Sequence, residues 1–156
     1  MKSKFLLTLS ISLMATLLSC SDSGDEKKET TGPKRVDCGA PSSCVPADGA
    51  LVEVTCPTGS EDIQVGDTLA VRWRSLVTDF TGYRIQASTT GGAKYTELST
   101  ESILPTGSDD NQCLSFDVVI PSDGSLSGDV IFQIRDYNSS AADMRDASES
   151  VAIPAP

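Results

Sequence analysis

From Ala50 onward, apolar residues recur at alternate positions in short segments separated by turn residues. LVEVTCP offers Val52, Val54 and Cys56 on one face, and IQVGDTLAVRWRS offers Leu69, Val71 and Trp73 with Ala70, Arg72 and Arg74 opposite. GYRIQAST sets Tyr83, Ile85 and Ala87 against Arg84, Gln86 and Ser88, and TTGG then marks a tight turn before KYTEL. CLSFDVVIP places Phe116, Val118 and Ile120 inward, GDVIFQIRDY does the same with Val130, Phe132 and Ile134, and SVAIP closes with Val151 and Ile153. A period of two is the signature of a half-buried strand. About seven such strands, each with one apolar face, predict an all-β, two-sheet antiparallel sandwich. It would occupy residues 50–156, long enough to bury a core. No long stretch has the helical period, so a helical or α/β fold has no helix to stand on.

The first fifty residues follow other patterns. Lys2 and Lys4 precede an apolar run of fourteen residues, Phe5 to Leu18, which is shorter than the roughly twenty needed to span a bilayer. It has no polar face to set against a core. Basic, then apolar, then small residues is the layout of a secretory signal peptide, here residues 1–19. Leu17-Leu18-Ser19-Cys20 resembles the lipobox of bacterial lipoproteins. The resemblance implies cleavage before Cys20, a diacylglycerol thioether on its sulfur and acylation of the new amine. Each buried methylene contributes about 0.8 kcal/mol, so one chain holds a protein marginally and two or three hold it lastingly. The lipid bilayer, reached through acyl chains on Cys20, is therefore an expected partner.

After Cys20, SDSGDEKKETTGPKR contains no aliphatic or aromatic residue. Residues 20–35 thus predict a flexible acidic tether, reaching roughly 20 Å for a coil of this length. Its acidic opening is similar to signals that export some lipoproteins to the outer face of the outer membrane. An exported protein, lipid-anchored to the bacterial envelope at the outer membrane, is the expected setting. Residues 36–49, VDCGAPSSCVPADG, predict a Cys-containing lead-in loop.

Charge narrows the partners. Twelve Lys and Arg stand against twenty-two Asp and Glu, a net charge of −10, and loss of Lys2 and Lys4 with the signal peptide takes it to −12. Such a chain repels nucleic acid and anionic headgroups, so no nucleic-acid partner is expected and anchoring falls to lipid. Histidine is absent, which removes Ser-His-Asp and Cys-His nucleophile activation and imidazole metal sites. Beyond Cys20 stand Cys38, Cys44, Cys56 and Cys113. Four cysteines in an exported chain point to disulfides, with three possible connectivities. The intervening five, eleven and fifty-six residues include no C-x-x-C knuckle, so zinc on four thiolates is the lesser alternative, and no metal or other cofactor is expected. Cys56 and Cys113 bound strands far apart in sequence, which favours Cys56–Cys113 with Cys38–Cys44 closing the lead-in. Cys44–Cys113 with Cys38–Cys56 is the other arrangement.

VEVTCPTGSEDIQVGDTLAVRW is similar to the opening of an Ig-like module. That module is known from Ser/Thr-rich GPI-anchored yeast cell-wall glucan-synthesis proteins and from bacterial surface proteins. YRIQASTTGGAKYTEL, FDVVIP and GDVIFQIRDYNSSAADMRDASESVAI resemble its later parts, so the likeness runs from Ala50 to Ile153. It implies an Ig/fibronectin-III-like sandwich on a cell surface, with no shared active site to carry over. Cys56, Cys113 and the lead-in with Cys38 and Cys44 depart from the family pattern.

Individual residues add candidates. Trp73, the only tryptophan, shares its face with Leu69 and Val71 and is expected in the core rather than stacked on a sugar. Tyr83 reads the same way, whereas Tyr95 and Tyr137 fall at strand ends and are expected half exposed. Asp136, Asn138, Asp143 and Asp146 gather in RDYNSSAADMRDAS, and Gly107 to Gln112 form a second oxygen-rich turn. The first lacks both the glycine and the closing glutamate of a calcium loop, and both are expected to be solvated loops. Arg72 and Arg74 point outward. Arg84 and Arg135 are expected on neighbouring strands beside Gln86 and Gln133, first as alternating surface residues that keep a sheet soluble and, as the alternative, as a polar face for docking an acidic glycan or a protein. The expected function is a noncatalytic binding or structural module of the cell envelope, not an enzyme. A small carboxylate-dependent hydrolase is one alternative and would need a cleft with one carboxyl of raised pKa. An accessory subunit of a surface complex is the other.

Overall fold

Leu69, Val71 and Trp73 are all fully buried on one side of strand β3, Thr68–Leu76, as their alternation requires. A computed structural model describes residues 32–47, 49–76, 80–99, 101–104 and 110–156. Contacts divide the chain into Met1–Thr30 and Thr31–Pro156. The expected signal peptide, Cys20 and most of the expected tether lie outside the described residues, so the second unit is described below. Among the described residues no helix is long and apolar enough to cross a membrane.

The remaining elements are β1 (Arg35–Val36), β2 (Val52–Cys56), β4 (Tyr83–Ser88), β5 (Thr96–Glu97), β6 (Asn111–Val119), β7 (Gly128–Asp136), a 3₁₀ turn (Ala142–Met144), β8 (Arg145–Ala147) and β9 (Val151–Ile153). In the first sheet β3 pairs along its whole length with β6, from Thr68↔Val119 to Leu76↔Asn111. Its other edge is shared. β1 runs parallel to its start (Arg35↔Thr68), and β2 runs antiparallel to its end (Val52↔Ser75), so β1 and β2 approach each other along one edge. In the second sheet the order is β5-β4-β7, and the far edge of β7 is likewise shared, by β8 and β9. Ser148, between those two strands, still exchanges bonds with Phe132: its N–H donates to the carbonyl at 2.8 Å and its hydroxyl accepts the Phe132 N–H at 3.0 Å.

The inner faces of the two sheets meet in one core. Trp73 lies edge-on to Tyr83 at 5.4 Å, Phe80 stacks on Tyr83 at 4.9 Å, and Ile85, Val130, Phe132 and Ile134 complete the opposite wall. The Tyr83 hydroxyl reaches Ser75 Oγ at 2.8 Å and Ser75 in turn donates to the Leu51 carbonyl, so this buried phenol is satisfied. The Trp73 indole N–H has no partner among the described residues. The molecule is the all-β sandwich expected from the alternation.

Three details differ from the sequence reading. Arg35 and Val36, assigned to the tether and the lead-in loop, form β1. Arg145 to Ala147, assigned to a long loop, form β8. The disulfides are Cys38–Cys56 and Cys44–Cys113, with Cα separations of 5.7 and 4.8 Å, which corrects the favoured Cys56–Cys113 and Cys38–Cys44 pairing. The cause is the path of the lead-in. Cys38 follows β1, which abuts the end of β2, and the next residues cross the outer face of the first sheet to bring Cys44 to β6.

Candidate functional site

The two outer faces of the sandwich have opposite characters. On the first sheet, Arg35 spans to Asp117 of β6 at 2.8 Å, and Arg72 grips Asp37 with two bonds of 2.6 Å. Arg74 pairs with Glu53 at 2.7 Å, and Glu53 also accepts the Ala47 N–H at 2.6 Å. Arg72 and Arg35 donors and the Gly39 N–H hold the Asp37 carboxyl well below the usual carboxylate range despite partial desolvation. Ala70, the register partner of Asp117, is fully buried although it points outward. This face is covered by the chain's own lead-in and its cations are spoken for.

The second sheet presents the opposite. Residues that alternate with the core on β4 and β7 point outward, and antiparallel register sets Arg84 directly across from Arg135 and Gln86 across from Gln133. β8 adds Arg145 directly across from Arg135. Three arginines therefore form one row over three adjacent strands. Like charges facing each other across strands destabilise a sheet, so their partners decide how much positive charge remains. Arg84 donates to Glu97 at 3.0 Å and lies over the Tyr137 ring, 4.1 Å from its centroid. Arg135 donates only to carbonyls, those of Ser139 at 2.6 Å and Asp136 at 3.4 Å. Arg145 is exposed and, among the described residues, has no ion-pair or hydrogen-bond partner. Two guanidinium groups on neighbouring strands thus lack a carboxylate.

Asp136 fixes this row from beneath. It ends β7 with its side chain buried and accepts the N–H groups of Thr81 (3.1 Å), Asn138 (2.9 Å) and Ser139 (2.6 Å) and the Thr81 hydroxyl (3.2 Å). Burial pushes the carboxyl up, and those backbone donors more than reverse the shift. The turn they hold carries Tyr137, under Arg84, and the Ser139 carbonyl that receives Arg135. Gly82 gives the facing loop its φ of +153°, and a Cβ there would stand 1.9 Å from Ser102 Oγ.

The other candidates separate. Asp136 and Asp146 are not solvated loop oxygens: Asp146 accepts the outward Val54 N–H of β2 at 2.7 Å, tying the edges of the two sheets together. Asp143 sits exposed in the 3₁₀ turn and Asn138 donates to Thr81 Oγ1 at 3.1 Å, so the four do not converge. In the second oxygen-rich turn, 107–109 lie outside the described residues and Asn111–Gln112 begin β6. Cys38, Cys56 and Glu61 crowd their donor atoms within 4.8 Å, but both sulfurs are consumed by the disulfide and offer no thiolate. Trp73 is core, while Tyr95 and Tyr137 are half-buried.

A shallow groove of about 340 Å³ opens between β2 and the β8–β9 connection, lined by Glu53, Thr55, Arg74, Ser148 and Glu149 among others. Its Glu53 is lowered, because Arg74 and the Ala47 N–H outweigh burial. Among the described residues every carboxyl that departs from its ordinary value, Asp37, Glu53, Glu61, Asp62, Asp123 and Asp136, departs downward. A glycosidic general acid needs the reverse.

Sequence reasoning found Arg84, Arg135, Gln86 and Gln133 by their outward parity. It missed Arg145, because a three-residue strand without a β-branched or aromatic residue gives no periodic signal. Fold and face together define a β-sandwich domain with one sheet covered by its own lead-in and the other presenting cations. No family model matches the chain, and no curated protein matches it.

Proposed function

We propose that the chain is a lipid-anchored, noncatalytic module of a bacterial cell envelope that docks an anionic partner on the outer face of β4, β7 and β8. The supporting observation is the Arg84–Arg135–Arg145 row, with two arginines that pair with no carboxylate among the described residues, in a chain whose net charge is −10. In an acidic protein, cations left unneutralised on one rigid face attract a partner of opposite sign and orient it. The downward-shifted carboxyls favour binding over carboxylate hydrolysis. The lipobox-like Leu17 to Cys20 motif supports attachment through Cys20, and the disulfides suit an oxidising compartment. Fractionation tests the anchor: the parent chain is expected with membranes and Cys20→Ala in the soluble fraction. A Cys20→Ala protein that still sediments with membranes sinks the lipid anchor.

A further inference from the structure

We infer that the partner of the Arg84–Arg135–Arg145 row is an acidic polysaccharide bearing carboxylates, a polyuronate in chemical class. The inference rests on reading this face as the docking surface. Guanidinium groups pair carboxylates in a planar two-bond fork, which a point charge does not. Here Arg135 is held by neutral carbonyls and Arg145 is open, so both keep donors for a ligand. Neighbouring strands stand about 4.8 Å apart, comparable with the rise of one sugar unit in a linear polysaccharide. Along a row perpendicular to the strands, Arg135 on β7 and Arg145 on β8, the two that pair with no carboxylate among the described residues, therefore offer one cation to each of two successive sugars. Gln86, half-buried in the adjacent row with Gln133 deeper beside it, supplies an amide for ring hydroxyls.

The same face argues against an acidic protein. Stable protein interfaces centre on desolvated apolar or aromatic anchors. Among the described residues the large hydrophobic side chains left exposed are Val45, Leu104 and Val119, none of them on β4, β5, β7 or β8. Tyr137, the aromatic beside the row, has its ring under Arg84. Among the described residues Glu97 neutralises Arg84, Asp146 accepts the Val54 N–H, exposed Asp143 pairs with no arginine of the row, and Asp129 sits six residues from Arg135 at the other end of β7, about 20 Å along the strand, so Arg135 and Arg145 keep their charge.

The full chain, purified in detergent, is titrated with polygalacturonate, neutral dextran and poly-glutamate matched for charge concentration. Arg145→Gln is compared with Lys94→Gln, which removes an exposed cation away from the row. Polygalacturonate is expected to bind in a salt-sensitive manner, more tightly than poly-glutamate, while dextran does not bind. Arg145→Gln is expected to weaken polygalacturonate about tenfold or more, the loss of a charged hydrogen-bonded pair, with Lys94→Gln changing it less than about twofold. Tighter poly-glutamate binding that still depends on Arg145 overturns the polysaccharide and leaves the docking face. Failure of both polyanions to bind, or equal effects of the two variants, overturns the inference and the face together. Shortening of the polymer during incubation overturns the noncatalytic reading alone.

Discussion

A carboxylate buried at the end of β7 has to be charged for its turn to hold together. Asp136 receives three backbone N–H groups, and its folded pKa lies below the ordinary 3.8. Over the interval between folded and unfolded values the unfolded chain binds the extra proton, so Asp136 adds stability at neutral pH and loses it as pH falls below about 4. Asp37 and Glu53, also lowered, act in the same direction. The midpoint of urea unfolding, followed against pH, is expected to be flat near neutrality and to drop in that acid range. Asp136→Ala strands those donors and is expected to cost about 2–4 kcal/mol in urea unfolding. The same variant loosens Tyr137 and Ser139, and with them Arg84 and Arg135.

At the scale of elements, the two bridges differ in what they close. Cys44–Cys113 joins residues 69 apart and Cys38–Cys56 residues 18 apart. Loop-closure entropy gives about 4 kcal/mol for the first and about 3 for the second, each taken alone. Double Cys→Ser variants of each pair, compared by denaturant midpoint, are expected to follow that order. Elements were legible where alternation ran long: β3, β4 and β7 each bury the apolar residues their parity selects. β1 and β8 were not, because two or three residues carry no period and owe their pairing to the strand edge they meet. Disulfide partners were hidden for a related reason: they follow a loop that doubles over a sheet, and spacing records length without direction. The register shift between Val54 and Cys56 compounds this by changing the parity with which β2 meets β3.

For the molecule as a whole, charge is distributed by face. The first sheet spends Arg35, Arg72 and Arg74 on Asp117, Asp37 and Glu53, while among the described residues the second keeps Arg135 and Arg145 without carboxylates. A net charge of −10 therefore coexists with a local cationic stripe, and alternation revealed two of its members while tertiary pairing supplied the third.

The crossed bridges also govern how the folded unit yields to a pull. Tension entering ahead of β1 follows the backbone from Cys38 to Cys44 and crosses to Cys113, a route of 44 − 38 = 6 residues in place of 113 − 38 = 75. Reduction frees the difference, 75 − 6 = 69 residues, about 240 Å of extended chain. Force–extension traces of the oxidised and reduced protein, stretched by its ends, are expected to differ in contour length by that amount. Oxidised, the stretched polypeptide stays on a short leash even after both sheets have come apart.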